Sequence, residues 1–308
     1  MMRNYTERCR LAVVQAEPVL FDAAASLSKA LRLIDEAAEG GAELVCFPEL
    51  FIPGYPYGLS FGFTVGRRDE AARPDWARYA AASLMEGGPE LAALRDKARE
   101  RGVWLSMGFS ERDALTGTLY NSNVIIPPDG AALSIHRKLK PTGSERVVWG
   151  DANRGYFPVA DTPWGRAAAL ICWEAYMPLA RAALYDKGVT ILLAPNTNDY
   201  DGWFATLRHM AMEGRCFVVN ACPLITRASY PGDIASRAEA EALPELICRG
   251  GSCVVGPDGE YIAEPFFDRE GIIYCELDPA RVFASRMEFD PAGHYARPDV
   301  LRLSYQDE

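Results

Sequence analysis

Cys172 is the residue best placed for covalent chemistry. It closes an apolar run, Ala168-Ala169-Leu170-Ile171-Cys172, and polar residues and a helix signal at Pro178 follow. In α/β folds the carboxyl ends of strands are where reacting groups sit. A helix N-terminus further favours the thiolate, the reactive form of the side chain. The plainer reading is a small buried hydrophobe, the common fate of a free cysteine. Glu49 lies in Cys46-Phe47-Pro48-Glu49-Leu50-Phe51, an unusually apolar setting for an acid. Partial burial raises a carboxyl's pKa and suits a group that takes and returns a proton near neutrality. A capping or salt-bridged Glu is the plainer alternative. Lys138 follows the expected strand Leu133 to His136, within His136-Arg137-Lys138-Leu139-Lys140-Pro141. By pattern alone that cluster reads as a solvated basic run, and Glu145 beside Arg146 as an exposed ion pair.

A rival nucleophile is Ser60, in Gly58-Leu59-Ser60-Phe61-Gly62. The G-x-S-x-G turn needs a strand before it and a helix after it to strain the turn and expose the hydroxyl. Here Pro53-Gly54-Tyr55-Pro56-Tyr57 precedes and Thr64-Val65-Gly66-Arg67 follows, so a flexible loop is expected instead. The histidines (136, 209, 294) are far apart and no Cys-x-x-Cys pair exists. No zinc-type ligand set is therefore expected, and no metal or cofactor.

These residues need elements to hold them. Arg10 to Gln15 reads as a buried strand. Asp22 can N-cap a helix with apolar positions at Leu27, Ala30, Leu31, Ile34 and Ala38, stopped by Gly40-Gly41. Glu43 to Phe47 is a second strand, and β-α-β implies a parallel pair. Residues 52–75, rich in Gly and Pro, read as a long loop of the kind that is usually functional. Pro89 opens a helix ending near Gly102. Strands are expected at 103–109, 119–126 and 132–137, the last two joined by a turn at Pro128-Asp129-Gly130, and 139–155 is irregular. The second half runs as a strand Arg166 to Cys172, a helix Pro178 to Lys187, a strand Val189 to Ala194, a helix Gly202 to Glu213 and a strand Cys216 to Ala221. A loop or helical insertion at 227–248, a hairpin Ser252 to Ala263, a strand Ile272 to Leu277 and a short helix capped by Asp278 complete it. No linker divides the chain, so residues 1–308 are expected to form one α/β domain of two sheets with helices outside.

Composition narrows the function. The 308 residues are 49% hydrophobic and 24% charged with a net charge of −10. That is a globular composition without the basic footprint nucleic-acid binding needs. The longest strictly apolar run, Ala167 to Trp173, falls far short of the roughly 20 residues of a membrane span, and the polar N-terminus lacks a signal-peptide core. A cytosolic protein is expected, with most of its eight cysteines as buried, reduced hydrophobes. Basic residues are five Lys against 27 Arg, so a Lys within a motif carries more information than usual.

Taken together, Phe47-Pro48-Glu49, His136-Arg137-Lys138-Leu139 and Leu170-Ile171-Cys172-Trp173-Glu174 resemble, in order, the three signature segments of the nitrilase superfamily. The likeness extends through Phe51 to Pro56, Leu119-Tyr120-Asn121, Pro141 to Arg146, Tyr176 to Arg181, Met212 to Val218, Gly256 to Gly259 and Phe289 to Tyr295, nearly the whole chain. Cys-Trp-Glu resembles the nitrile-hydrolysing branch, as do the insertions at 52–75 and 227–248.

The resemblance implies a four-layer α-β-β-α sandwich and conversion of an organic nitrile to an acid and ammonia. It implies Cys172 as nucleophile, Glu49 as proton carrier, Lys138 as anion stabiliser and Glu145 as a fourth group that positions Lys138 or helps activate water. Tyr55, Trp173, Glu174, Asn196 and Thr197 are implied at the pocket, with residues 55–64, 142–144 and 196–203 shaping it. An amidase, carbamoyl hydrolase or cyanide-converting enzyme would use the same scaffold, and a scaffold protein without chemistry is the non-enzymatic alternative. Family members pair through helices like those after Cys172 and at 202–213. The chain ends at Glu308, about where the recognisable segments end, which favours a homodimer or short homo-oligomer over a filament.

Overall fold

The computed structural model describes residues 7–131 and 133–307. Expectations touching Met1–Thr6, Ala132 and Glu308 lie outside the described residues. Alternation along the strands decides the layering. In Cys9–Gln15, Leu11 and Val13 face one way and Ala12 and Val14 the other, yet all four are buried. A strand buried on both faces must be covered on both sides. Leu11, Val13, Leu44 and Cys46 join Ala167, Ala169, Ile191, Leu193, Phe217 and Val219 in an apolar layer between two sheets. The opposite faces meet helices. Ala12, Val14 and Val45 pack with residues of Ala23–Glu39 and Pro89–Arg101. Ala168, Leu192 and Val218 pack with residues of Pro178–Asp186 and Asp201–Gly214. The expected α-β-β-α order follows.

The first sheet runs Gly271–Leu277, Cys9–Gln15, Leu44–Cys46, Trp104–Arg112, Leu119–Ile126, Ser134–Arg137. The second runs Leu224–Thr226, Leu246–Val255, Phe217–Ala221, Ile191–Pro195, Gly165–Ala169, Ala160–Thr162, with Tyr261–Phe267 also paired to Leu246–Val255. Each has a parallel centre. Leu44–Cys46 pairs in parallel with both of its neighbours, and Ile191–Pro195 does the same. Glu49 and Cys172 each lie just beyond the carboxyl end of one of these parallel strands.

The Asp22 cap holds as expected, its Oδ1 accepting from Ala25 N–H at 2.9 Å. The long loop at 52–75 contains a two-stranded ribbon, Phe63–Thr64 with Arg67–Arg68, and leads into a helix, Arg73–Ala82. The sequence pattern does not reveal that helix, because its only buried residues are Asp75, Tyr79 and Ala80 and it presents no continuous apolar stripe. Residues 227–248 hold a short helix, Arg237–Glu241, and the head of the long strand Leu246–Val255. That strand starts before Ser252 and runs across Gly250-Gly251, where its pairing with Tyr261–Phe267 shifts register. Two short edge strands, Ala160–Thr162 and Leu224–Thr226, give no alternation long enough to read.

Candidate active site

Cys172 follows the strand Gly165–Ala169 and opens a five-residue 3-10 turn, Cys172–Tyr176. Its own φ is 57°, a left-handed conformation that costs a non-glycine residue of order 1–3 kcal/mol and is often found where a site requires it. Its Sγ lies within 4.8 Å of a carboxylate oxygen of both Glu49 and Glu145, and Asn198 Nδ2 donates to it at 3.3 Å. The thiol is not the ready thiolate that a following helix would favour. Burial, aided by Glu49 and Glu145 and opposed by Lys138 and Asn198, pushes its pKa up to about 12. The thiol is therefore neutral at rest, and forming its thiolate would need a base.

Glu49 supplies a base in reach. It follows Leu44–Cys46, on a turn whose next residue, Leu50, has φ 51°. The strand Trp104–Arg112 passes so close beneath that a Cβ on Gly108 would stand 2.2 Å from the Pro48 carbonyl and 2.8 Å from Glu49 Cα. Glu49 Oε1 accepts from Lys138 Nζ at 2.9 Å and Asn121 Nδ2 at 2.7 Å, and Thr197 Oγ1 reaches Oε2 at 3.5 Å. Burial is the largest influence on this carboxyl; with the nearby Glu145 it outweighs Lys138 and Asn121 and holds the pKa above the ordinary value of 4.5.

Lys138 leaves the edge strand Ser134–Arg137 with its backbone N–H on the Asn121 carbonyl at 2.8 Å. Its Nζ donates to Glu49 and, at 2.8 Å, to Glu145 Oε2. Burial works against the charge, but Glu49, Cys172 and Glu145 together raise the pKa above its ordinary value, so the ammonium persists. Glu145 lies in the 3-10 turn Gly143–Val147 and also accepts from Tyr55 OH at 2.7 Å and Thr142 N–H at 2.7 Å. The solvated-run reading of His136-Arg137-Lys138 is overturned: all three are buried, and each has a carboxylate, Glu174, Glu111 and the Glu49–Glu145 pair respectively. Glu145 likewise is no exposed ion pair. Glu49, Glu145 and Cys172 are spaced as metal ligands could be, but the ammonium of Lys138 already bonds to both carboxylates.

The group opens on a cleft of about 630 Å³ lined by Tyr55, Tyr57, Phe61, Glu145, Trp149, Cys172, Trp173, Thr197, Asn198, Asp199 and Tyr200 among others. Tyr55, Trp173 and Thr197 are thus among the cleft's walls. Trp173 is half exposed and fixed by Nε1 donating to Asn198 Oδ1 at 3.0 Å. Glu174 and Asn196 do not line the cleft. Glu174 turns inward to His136 and two backbone N–H groups. Asn196 is buried against Asn220 and accepts from Asn198 N–H at 2.8 Å, so it shapes the turn that presents Asn198. In both cases a polar side chain expected at the pocket finds its bonds in the core. Asn121 is a polar contact to which sequence reasoning gave no role, its available signal being a buried-strand asparagine; Asn198 falls within the expected pocket stretch 196–203 but without its bond to the Cys172 sulfur.

Ser60 sits on the rim, not at a strand end. Its N–H and hydroxyl both go to the Glu239 carboxylate, at 2.7 and 2.5 Å. The same rim is tied to residues 227–241 by Tyr230 OH on the Tyr57 carbonyl and by Asp75 accepting from Ala235 and Ser236 N–H.

A buried thiol and acid at the parallel-strand ends of two packed sheets, with a buried lysine that leaves an antiparallel edge strand, form a site suited to cysteine hydrolase chemistry. The model of the carbon-nitrogen hydrolase family matches residues 10–287, and the chain belongs to that family. It is 43% identical to an aliphatic nitrilase of Sinorhizobium fredii (strain HH103), covering 97% of this chain and 96% of that protein. It is 40% identical to the bifunctional nitrilase/nitrile hydratase NIT4B of Nicotiana tabacum, over 98% of this chain and 87% of that one. Among solved structures, Saccharomyces cerevisiae Nit3, a member of branch 10 of the nitrilase superfamily, superimposes with a TM-score of 0.74 at 21% identity, covering 96% of this chain and all of the other. That last likeness speaks for the fold.

Proposed function

We propose that this protein is a nitrilase that adds two waters to an organic nitrile and releases a carboxylic acid and ammonia. The observation that carries the reading is the neutral Cys172 thiol within 4.8 Å of the Glu49 carboxylate, in a chain that resembles an aliphatic nitrilase along nearly its whole length. Glu49 takes the thiol proton as sulfur attacks the nitrile carbon, and passes it to the nitrogen, which becomes basic as the triple bond opens. The product is a thioimidate. Lys138, preorganised and desolvated, stabilises the negative charge that builds at nitrogen, and the Trp173 N–H is the second donor. Water adds, ammonia leaves with a proton from the acid, and a second water frees the carboxylate and restores the thiol. Glu145 is a second carboxylate that holds the Lys138 ammonium, at 2.8 Å.

A second reading concerns the product. Relatives such as the tobacco protein carry both nitrilase and nitrile hydratase in their names, which supports some amide release from the same intermediate. Among the described residues no helix is long and apolar enough to cross a membrane. Eight free cysteines suit a reducing cytoplasm. We read the chain as one catalytic domain, forming a homodimer through the helices Pro178–Asp186 and Asp201–Gly214, where Leu179 and Met212 are exposed; light scattering tests this. For the chemistry, purified protein on a nitrile panel releases ammonia, and Cys172→Ala lowers that rate by roughly 10⁴-fold or more while the fold survives. Mass spectrometry of a stalled reaction places an adduct on Cys172. Retained turnover in Cys172→Ala sinks the assignment.

A further inference from the structure

We propose that Glu174 is a positioning residue that sets the separation of Lys138 from Cys172, and through it the division of the reaction between acid and amide. This rests on the roles given above to Cys172 and Lys138. The carboxylate makes three bonds. Oε2 accepts from Ile171 N–H at 2.7 Å and from His136 Nε2 at 2.8 Å, and Oε1 accepts from Leu139 N–H at 2.8 Å. Ile171 immediately precedes the nucleophile, at the end of a second-sheet strand. Leu139 immediately follows the lysine, and His136 precedes it by two in the edge strand of the first sheet. One buried side chain therefore bonds to the backbone on both sides of the site. Glu49 and Glu145 hold only the head of Lys138; Glu174 holds the chain that carries it.

His136 completes the brace. Its Nδ1 faces the Gly155 carbonyl at 3.0 Å and its Nε2 faces Glu174, both of them acceptors. The ring fills both bonds when it carries both protons, and Glu174 and Gly155 raise its pKa against the opposing effect of burial. A ring so protonated would offset the charge that Glu174 brings into the core.

The chemical consequence lies at one intermediate. After water adds to the thioimidate, the carbon bears sulfur, hydroxyl and an amino group. If C–N breaks, with a proton delivered to nitrogen, ammonia leaves and a thioester remains. If C–S breaks, with the proton delivered to sulfur, Cys172 is restored and an amide leaves. Nothing is oxidised or reduced in either branch. The choice depends on which leaving group meets the proton and which the ammonium of Lys138 favours, hence on the Lys138–Cys172 separation.

The test uses full-length Glu174→Gln, an isosteric change that puts an N–H₂ against one of the backbone donors, on the panel nitrile that wild type converts fastest. Ammonia and amide are quantified together, kcat and KM separately, and intact sites are counted by iodoacetamide labelling of Cys172. The expected result is a kcat lower by roughly 10- to 100-fold per labelled site, KM within about twofold and a larger amide share. His136→Gln, which leaves both backbone bonds, moves the ratio the same way by less and serves if Glu174→Gln does not fold. An unchanged acid-to-amide ratio in either folded variant overturns the proposal, as does a fall in kcat that merely tracks the labelled fraction. Cys172→Ala run alongside separates the two readings: turnover retained there refutes the nucleophile itself.

Discussion

Glu49 and Cys172 stand at the ends of parallel strands, one in each sheet, and are held by different means. On the first strand the left-handed residue is Leu50, one place beyond the acid. Glu49 keeps an ordinary backbone, its side chain is pinned by Lys138 and Asn121, and Gly108 lets the neighbouring strand lock the turn from below. On the second strand the left-handed residue is Cys172 itself, and among the described residues its sulfur receives a bond from Asn198 alone. The acid must hold one orientation and a tuned proton affinity, which side-chain bonds provide. The nucleophile must be free to form a bond to carbon, so its constraint sits in the backbone.

That contrast can be broken at several points. The largest effect is expected from Glu49→Gln, which removes the base and leaves Lys138 with one carboxylate: kcat/KM falls by roughly 10²–10⁴-fold, measured by ammonia release, while circular dichroism stays native. Gly108→Ala pushes a methyl into the Pro48 carbonyl and costs about 1–3 kcal/mol. Thermal unfolding reads that loss, and kcat falls with it because the displaced turn carries Glu49. The smallest effect is a shift. Glu49 accepts the thiol proton only when ionised, and its raised pKa places the acid limb of kcat/KM above the ordinary 4.5. Asn121 donates to the ionised form, so Asn121→Leu moves the limb to higher pH with little change on the plateau. A limb that stays in place or moves down refutes that role. Folding should tolerate the change, since Asn121 Oδ1 is buried without a partner of its own.

What was legible in the sequence follows from range. Alternating and apolar runs are local, so both parallel centres, the Asp22 cap and the strand ends that carry Glu49, Lys138 and Cys172 could be read directly. The burial of His136-Arg137-Lys138 could not. Their carboxylates lie 38, 26 and 89 residues away for Glu174, Glu111 and Glu49, and a run of three cations looks solvated until those partners arrive. Glu174 and Asn196 failed in the opposite direction. The family resemblance implied the pocket for both, whereas polar side chains beside strand ends are also what the core uses to satisfy backbone N–H groups. The helix Arg73–Ala82 stayed hidden because little of it is buried.

The rim has a consequence for anyone who wants to retune this enzyme. Ser60, Tyr57 and Asp75 are fastened to Glu239, Tyr230 and the Ala235–Ser236 backbone, so the two long segments are joined into one structural unit. A library that shuffles residues 52–82 from another relative while keeping 227–241 would sever those ties in most members and select against function for reasons unrelated to substrate fit. Recombination that exchanges both segments together keeps the mouth of the cleft intact and lets selection act on the nitrile.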